Sequence, residues 1–216
     1  MKRAAFFDMD RTLLRVNTAP RYARWQYQRG EASVRDLLRV ARWVAQYALG
    51  VIDPEEISRG AVATLAGVQE SVFAREMEQW WAAELRGHVS KDARAAVQAC
   101  RREGFVLVIL TASTRYATAS LARDLGIQHV LCSELEVEHG RFTGRCLRLC
   151  YGPGKVAAAE RWAHRHGVDL ARSVFYTDSV SDLPMLERVG QPRVVNPDFR
   201  LRWCALRRGW PVARWR

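Results

Sequence analysis

The chain has 216 residues, of which 49% are hydrophobic and 26% are charged. This length suits one large domain or a core domain with a smaller insert, and the composition is typical of a globular protein rather than a disordered one. We predict no signal peptide, because Asp8 interrupts the first apolar run. We also predict no membrane-spanning helix, because no stretch reaches roughly 20 uncharged apolar residues.

The charge balance is strongly basic. The chain has 34 lysines and arginines against 23 acidic residues, which gives a formal net charge of +11. Such a charge attracts phosphate groups, whether they belong to a small metabolite, a nucleic acid or an anionic membrane. The charge alone does not distinguish these partners.

The cysteine pattern predicts a reduced, cytoplasmic setting, because the number of cysteines is odd and no two of them form a CxxC pair. We expect free thiols that are buried or at strand ends rather than disulfides or a metal site. The five cysteines are Cys100, Cys132, Cys146, Cys150 and Cys204.

The first predicted elements are a short strand and a long helical region. Residues 4–7 are predicted as a strand, and residues 17–86 as helices throughout. Within this region, Asp53 followed by Pro54 is a typical helix start, and Gly50 separates that helix from the one before it.

From residue 90 onwards, helices alternate with short apolar strands. Strands are predicted near 105–110, 129–132, 173–177 and 193–195, with a β-hairpin over 135–145. Helices are predicted near 90–102, 114–125, 154–166 and 181–188. Repeated β-α alternation predicts an α/β fold with a Rossmann-like, doubly wound parallel sheet. The helical region that follows the first strand would then be an inserted all-α cap.

Two acids, Asp8 and Asp10, directly follow the first strand. Side chains two residues apart point to the same side of an extended chain, so we expect these carboxylates to lie close together. Like charges at this distance need a compensating cation or a shared proton, and Mg²⁺ prefers carboxylate and carbonyl oxygens. A carboxylate beside a metal can also attack phosphorus and form an aspartyl-phosphate.

Other polar side chains follow the neighbouring strands, where open parallel sheets bind their ligands. Thr111 follows the strand near 105–110, and its hydroxyl and the start of the next helix would make a phosphate cradle. Ser113 is expected to cap that helix.

Two further acids and a lysine complete the set of candidate residues. Asp178 and Asp182 follow the strand near 173–177. Lys155 lies in the first turn of a helix, after a flexible Gly-Pro-Gly approach. The spacing around this lysine is not that of a nucleotide-binding P-loop, and no strand directly precedes it.

Taken in their order along the chain, these four segments resemble the motifs of the haloacid dehalogenase (HAD) superfamily. They resemble more closely its phosphoserine-phosphatase-like branch (subfamily IB) with a helical C1-type cap. The residues that match the four motifs are Asp8, Asp10 and Thr12, then Thr111, then Lys155, and then Asp178 and Asp182. The resemblance implies a catalytic core formed by residues 1–16 and 87–216, and a cap formed by residues 17–86.

The resemblance also implies catalytic roles for the acids. Asp8 would be the nucleophile that attacks phosphorus. Asp10 would protonate the leaving oxygen and then remove a proton from the water that hydrolyses the aspartyl-phosphate. Mg²⁺ would be held by Asp8, the backbone carbonyl of Asp10 and Asp178.

The remaining motif residues would bind the phosphate. Thr111 and Lys155 would contact its non-bridging oxygens, and Asp182 would hold Lys155 or a metal-bound water in place. The predicted function is therefore a Mg²⁺-dependent phosphatase that hydrolyses a small organic phosphomonoester.

The sequence leaves the substrate and two other functions open. The substrate could be phosphoserine-like, histidinol phosphate or a lipid-like phosphate. The alternatives are a phosphotransferase or mutase with the same aspartyl-phosphate, and a basic membrane-binding or nucleic-acid-binding protein with a vestigial site. A nucleic-acid partner is not expected, peripheral contact with a membrane stays open, and the oligomeric state is not predicted.

Several arginines are assigned no chemistry. Arg11 is expected to point away from the site, because the chain between the two acids is predicted to be extended. A stripe of Arg35, Arg39 and Arg42 is expected to be a solvated helix face, with anionic lipid or an acidic partner as the alternative. The basic and aromatic segment 207–216 could be an edge strand, a dimer contact or a surface anchor.

Overall fold

The computed structural model describes the backbone of residues 1–49 and 54–216 and the side chains of residues 1–46 and 59–216. The predicted helix cap at Asp53 and the break at Gly50 lie outside the described residues. In chain order, the strands are β1 (Ala4–Phe7), β2 (Val106–Thr114), β3 (His129–Glu138), β4 (Arg141–Arg148), β5 (Val174–Thr177), β6 (Gln191–Val195) and β7 (Val212–Ala213).

These strands form a seven-stranded sheet in the order β4-β3-β2-β1-β5-β6-β7. The short, fully buried β1 lies at its centre and pairs in parallel with β2 on one side and with β5 on the other. Only the pairing between β3 and β4 is antiparallel within the described sheet. The predicted α/β fold with a mostly parallel sheet is confirmed.

Helices fill the connections between the strands. They are α1 (Thr18–Gln28), α2 (Val34–Leu49), α3 (Pro54–Ala63), α4 (Glu70–Trp80), α5 (Lys91–Arg102), α6 (Arg115–Leu125), α7 (Pro153–His166), α8 (Leu183–Arg188) and α9 (Phe199–Arg208). The hydroxyl of Ser90 accepts the backbone N–H of Ala93 at 3.2 Å and so caps α5 as predicted. Helices α6 and α7 each end at a glycine in the left-handed conformation, Gly126 and Gly167.

Two strands are longer than the sequence pattern indicates. β2 continues to Thr114, so Thr111 and Ser113 lie within it, and the predicted cap at Ser113 is wrong: Thr114 is the N-cap residue of α6. β3 is one continuous strand whose first half pairs in parallel with β2 and whose second half pairs with β4. Tertiary pairing on both sides joins segments that look separate in the sequence.

After β6, the structure contains a helix and a short strand that the sequence pattern did not predict. Helix α9 follows β6, and the two-residue β7 then pairs in parallel with β6 at the edge of the sheet. Of the three readings of the segment 207–216, the edge strand is the one observed within these residues.

The hydrophobic core lies on both faces of the sheet. Phe6 and Phe7 are adjacent and fully buried, and they belong to different apolar clusters because successive side chains of a strand point to opposite faces. Phe7 stacks on Tyr176, with the ring centroids 4.8 Å apart. Phe6 meets the edge of Trp162 on α7 at 5.7 Å.

Helices α1 to α4 lie between β1 and α5 in the chain, and α4 packs against α6 and the β3–β4 hairpin. Phe73 of α4 contacts the rings of Tyr116 and Phe142 at 5.5 and 5.4 Å. The hydroxyl of Tyr116 donates to Glu70 at 2.8 Å. That this helical segment forms a separate cap, with boundaries at residues 16/17 and 86/87, stays a prediction. In the part of the chain that is described, no helix has the length and apolar character needed to cross a bilayer.

Candidate active site

Three of the predicted site residues, Asp8, Thr111 and Asp178, lie at one edge of the sheet, within three neighbouring strands or directly after them. The backbone N–H of Asp8 donates to the carbonyl of Tyr176 at 2.9 Å, which continues the β1–β5 pairing by one residue. Asp178 directly follows Thr177, the last residue of β5. Phe7 pairs with Ile109, so Thr111 of β2 reaches the same edge as Asp8. The order of the strands therefore brings these residues to one place.

A buried lysine joins two of the acids. Its ammonium nitrogen, Lys155 Nζ, lies 2.7 Å from Oδ1 of Asp8 and 2.8 Å from Oδ2 of Asp182, and only 4% of the lysine side chain is exposed. The hydroxyl of Thr177 also donates to Oδ2 of Asp182, at 2.5 Å. Lys155 is thus not a surface residue, and Asp182 is placed to orient it.

The two oxygens of the Asp10 carboxylate have different surroundings. Its Oδ2 accepts hydrogen bonds from the backbone N–H and the hydroxyl of Thr18, at 3.2 and 2.9 Å. Its Oδ1 is buried and has no hydrogen-bond partner among the described residues. Burial, followed by the negative charge of Asp8, raises the pKa of Asp10 to about 7. A carboxyl group with this pKa is able both to give and to accept a proton near neutral pH.

Arg11 does not point away from the site as predicted. Its Nε lies 3.5 Å from Oδ2 of Asp178. The prediction assumed an extended chain, but Arg11 has a φ of 53°, in the left-handed region that residues other than glycine adopt at a cost. Asn196 supports this conformation, because its Nδ2 donates to the Arg11 carbonyl at 3.0 Å.

Burial and mutual repulsion also raise the pKa values of Asp8 and Asp178. Burial raises the pKa of Asp8 to about 6, against the opposing effect of the Lys155 charge. Burial and then the charge of Asp8 raise the pKa of Asp178 well above its usual range. Burial alone would lower the pKa of Lys155, but the charges of Asp182 and Asp8 raise it, so this lysine is held in its charged form.

The charges at this edge fit a divalent cation. Four buried or partly buried acids are accompanied by two cations. The acids are Asp8, Asp10, Asp178 and Asp182, and the cations are Lys155 and Arg11. Among the described residues, no three histidine, cysteine or acidic side chains form a metal-binding cluster. The predicted Mg²⁺ ligands need only two carboxylates and one backbone carbonyl, and oxygen donors of this kind suit Mg²⁺.

Thr111 is buried at the end of the apolar part of β2. Its hydroxyl oxygen accepts the backbone N–H of Ser113 at 3.2 Å, which leaves its proton available to a ligand. The next residue, Ala112, accepts a hydrogen bond from Ser133 at 2.7 Å, which ties this part of β2 to β3.

Sequence reasoning did not identify four residues that support the site. Thr18 binds Asp10, Thr177 binds Asp182, and Asn196 binds the turn at Arg11. The carboxylate of Asp198 accepts a hydrogen bond from the backbone N–H of Val180 at 2.8 Å. The backbone N–H of Asp198 donates to the carbonyl of Asp178 at 2.9 Å. Of these four residues, Thr177 could have been identified from the sequence, because it directly precedes the motif residue Asp178.

The comparison with protein families identifies the class to which this chain belongs. Residues 5–187 match the model of the haloacid dehalogenase-like hydrolases. Because the match covers most of the chain, the protein belongs to this family, and the predicted resemblance is confirmed.

Curated relatives match along almost the whole chain. A probable phosphatase of Mycobacterium tuberculosis is 30% identical over 97% of this chain and 74% of the relative. A phosphoserine phosphatase of the same organism is 31% identical over 99% of this chain and 71% of the relative. A histidinol-phosphatase of Neisseria meningitidis is 26% identical over 98% of both chains. The predicted enzyme class, a phosphatase of this family, agrees with these matches.

Solved structures have the same fold. A protein of unknown function from Bordetella pertussis superposes with a TM-score of 0.89 and 30% identity, over 99% of this chain and 98% of that one. A phosphoserine phosphatase with a phospho-aspartyl intermediate analogue superposes with a TM-score of 0.70 at 18% identity, over 98% of this chain and 92% of that one. At that identity the second match supports the fold alone.

Proposed function

We propose that this protein is a Mg²⁺-dependent phosphatase that hydrolyses a small organic phosphomonoester through an aspartyl-phosphate on Asp8. The observation that carries the proposal is the buried ammonium of Lys155, which is 2.7 Å from Asp8 and 2.8 Å from Asp182. A buried cation that touches a carboxylate at the end of β1 is suited to neutralise a phosphate group at the same place. The family and the named relatives support the same reaction class.

In the first step, an oxygen of Asp8 attacks phosphorus, and the bond between phosphorus and the leaving oxygen breaks. The carboxyl group of Asp10 gives its proton to that leaving oxygen. In the second step, Asp10 takes a proton from water, the water oxygen attacks phosphorus, and inorganic phosphate leaves Asp8. A pKa of about 7 allows Asp10 to take both roles.

Residues around the phosphate stabilise the charge that develops on it. Thr111 and Lys155 donate to the non-bridging oxygens, and Asp182 keeps Lys155 oriented toward them. The proposed ligands of Mg²⁺ are Asp8, the backbone carbonyl of Asp10 and Asp178. When bound, Mg²⁺ would supply positive charge between the nucleophile and the phosphate.

The helical segment 17–86 is the proposed cap and would exclude water and select the substrate. Among the relatives, one is named a phosphoserine phosphatase and another a histidinol-phosphatase, which supports small phosphomonoesters as substrates. The substrate therefore stays open between phosphoserine-like, histidinol and lipid-like phosphates. A cytoplasmic setting likewise stays a prediction.

The experiment measures inorganic phosphate released from phosphoserine, histidinol phosphate and lysophosphatidic acid, with Mg²⁺ and with a chelator. We expect release from at least one ester, only with Mg²⁺, and a decrease of about 10³-fold or more in Asp8→Asn, because the amide is a far weaker nucleophile. Glu160→Gln makes the same charge change on the exposed side of α7 and should keep full activity. Undiminished release by Asp8→Asn would contradict the nucleophile assignment.

The same assay separates hydrolysis from phosphoryl transfer. An added alcohol such as glycerol competes with water if the aspartyl-phosphate has an acceptor other than water. We expect free phosphate to account for all the ester consumed. A phosphorylated alcohol as the main product would favour the phosphotransferase alternative instead.

A further inference from the structure

Helix α9 exposes three large apolar side chains. The exposed fractions of Phe199, Trp203 and Leu206 are 74%, 59% and 68%. Residues four and seven positions after Phe199 lie on the same side of a helix, so the three form one stripe. The other large apolar side chains that are exposed among the described residues are spread over several elements. We call these three residues the α9 stripe.

The α9 stripe is not the side by which the helix packs on the protein. Leu201 and Ala205 are fully buried and belong to the core cluster on that face of the sheet. Asp198 caps the helix through the N–H of Leu201 at 2.7 Å. The side chains that join α9 to the core of the described residues therefore lie on its inward side, and the α9 stripe lies outside that core.

Arginines flank the stripe on both sides. By helical spacing, Arg202 lies along one side of it, and Arg200 and Arg207 lie along the other. Arg207 lies over the ring of Trp203 at 4.5 Å from the ring centroid, and Arg208 pairs with Glu187 at 2.5 Å. Arg200 and Arg202 have no ion pair with any described residue. No acidic residue occurs in α9.

We propose that α9 docks on the surface of an anionic lipid bilayer. Aromatic and leucine side chains on one face of a helix, with arginines beside them, match the composition of helices that lie in the interface of a membrane. The arginines would bind the lipid phosphates while the stripe enters the region below the headgroups.

Charge favours this partner over two others. A second copy of the chain would bring two arginine-rich helices together in a protein whose net charge is already +11, which is repulsive. A nucleic acid would satisfy the arginines, but the leucine side chain of Leu206 has no base-stacking face and would stay exposed. Of these three partners, the lipid surface is the one that uses both the apolar stripe and the cations that flank it.

The docking surface begins beside the candidate active site. Asp198, the cap residue of α9, donates its backbone N–H to the carbonyl of Asp178 at 2.9 Å. Phe199 follows it directly and is the most exposed residue of the stripe. The inference stands on α9 alone and does not depend on the proposed reaction.

The test is co-sedimentation of the full chain with vesicles of phosphatidylcholine, alone or mixed in equal amounts with phosphatidylglycerol. We expect binding to the mixed vesicles only, and a steep decrease with added salt. Phe199→Ser/Trp203→Ser should lower the partition coefficient about tenfold or more. Arg202→Gln/Arg207→Gln should lower it about 30-fold. Circular dichroism verifies that both variants fold.

Two matched controls separate the α9 surface from general basicity. Arg161→Gln/Arg165→Gln removes the same charge from the exposed side of α7, and Leu38→Ser removes an exposed apolar side chain from α2. Both should bind the mixed vesicles as the wild type does. The proposal is wrong if the wild type does not bind, if the α9 variants bind equally well, or if the controls lose as much binding. It is also wrong if light scattering reveals a dimer that the α9 variants abolish, or if duplex DNA binds the chain more tightly than the vesicles do.

Discussion

Lys155 places a full positive charge where only 4% of its side chain is exposed. Removing a charge from water costs free energy unless charged partners replace the water, and Asp8 and Asp182 do so here. The three side chains therefore depend on one another. A lysine that the sequence places in the first turn of a helix is the buried cation at the centre of the candidate site.

Replacing this lysine with an uncharged residue should destabilise the fold. In Lys155→Met, two buried carboxylates lose their common partner, and we expect the free energy of unfolding to decrease by about 3–5 kcal/mol in urea titrations. Arg123 pairs with Glu78 at 2.6 Å on the surface, and Arg123→Met should cost less than about 1 kcal/mol. Equal losses in the two variants would contradict the role given to burial.

His129 should make stability depend on pH. Burial, and then the positive charge of His166, lowers the pKa of His129 below its ordinary value of 6.5. The folded protein thus binds this proton less readily than the unfolded chain does. The contribution to stability is present above about pH 6.5 and is lost as the pH falls through the lowered pKa.

Thermal unfolding measures this effect. Between about pH 7.5 and pH 5.5, the Tm of the wild type should decrease more than that of His129→Gln, which has no imidazole to protonate. His164→Gln changes an exposed histidine on α7 and serves as the control. Parallel Tm curves for the wild type and His129→Gln would exclude His129 as the cause.

At the scale of elements, the start of α7 depends on close packing rather than on flexibility. The sequence predicts a flexible Gly-Pro-Gly approach to Lys155, but Pro153 and Gly154 already belong to the helix. A β-carbon on Gly154 would lie 2.2 Å from the carbonyl oxygen of Leu149. The glycine therefore lets the first turn of α7 approach the preceding backbone, and this turn positions Lys155.

A methyl group at this position should move the lysine. Gly154→Ala must shift either the helix or the chain at Leu149, and we expect a loss of about 1–3 kcal/mol in stability together with reduced phosphatase activity. Gly87→Ala is the control, because a β-carbon there has nothing within 4 Å. Unchanged unfolding and activity in Gly154→Ala would contradict the close approach.

At the scale of the whole molecule, the segment after β7 connects distant parts of the chain near the site. The ring of Trp215 lies 5.3 Å from that of Tyr176, and its backbone N–H donates to Oδ1 of Asn196 at 2.9 Å. Asn196 in turn binds the carbonyl of Arg11. The hydroxyl of Ser90 donates to the Arg216 carbonyl at 2.9 Å, which joins this segment to the start of α5. The conformation of the turn after β1 thus depends on contacts from the other end of the sequence.

Loss of the Trp215 ring should weaken this connection. We expect Trp215→Ala to reduce the free energy of unfolding by about 1–3 kcal/mol, less than a fully buried tryptophan because this ring is half-buried. Trp203→Ala removes an exposed ring of α9 and should have little effect on stability. Hydrogen exchange at the Arg11 amide should also become faster in Trp215→Ala but not in Trp203→Ala. A loss of stability as large in Trp203→Ala would contradict the connection.

The sequence by itself determined the α/β class and the edge of the sheet at which the candidate site lies. A buried strand followed by Asp8 and Asp10, and apolar strands followed by Thr111 and Asp178, are local patterns, and parallel strands bring such ends together.

Tertiary structure decided how the side chains meet. Lys155 and Asp8 are 147 residues apart, and no local pattern encodes their 2.7 Å contact. The contact of Arg11 with Asp178 depends on a left-handed backbone conformation that Asn196 supports. Which side of α9 faces outward follows from the burial of Leu201 and Ala205 in the core. Periodicity within a segment reports local conformation, whereas contacts between distant segments depend on how those segments pack.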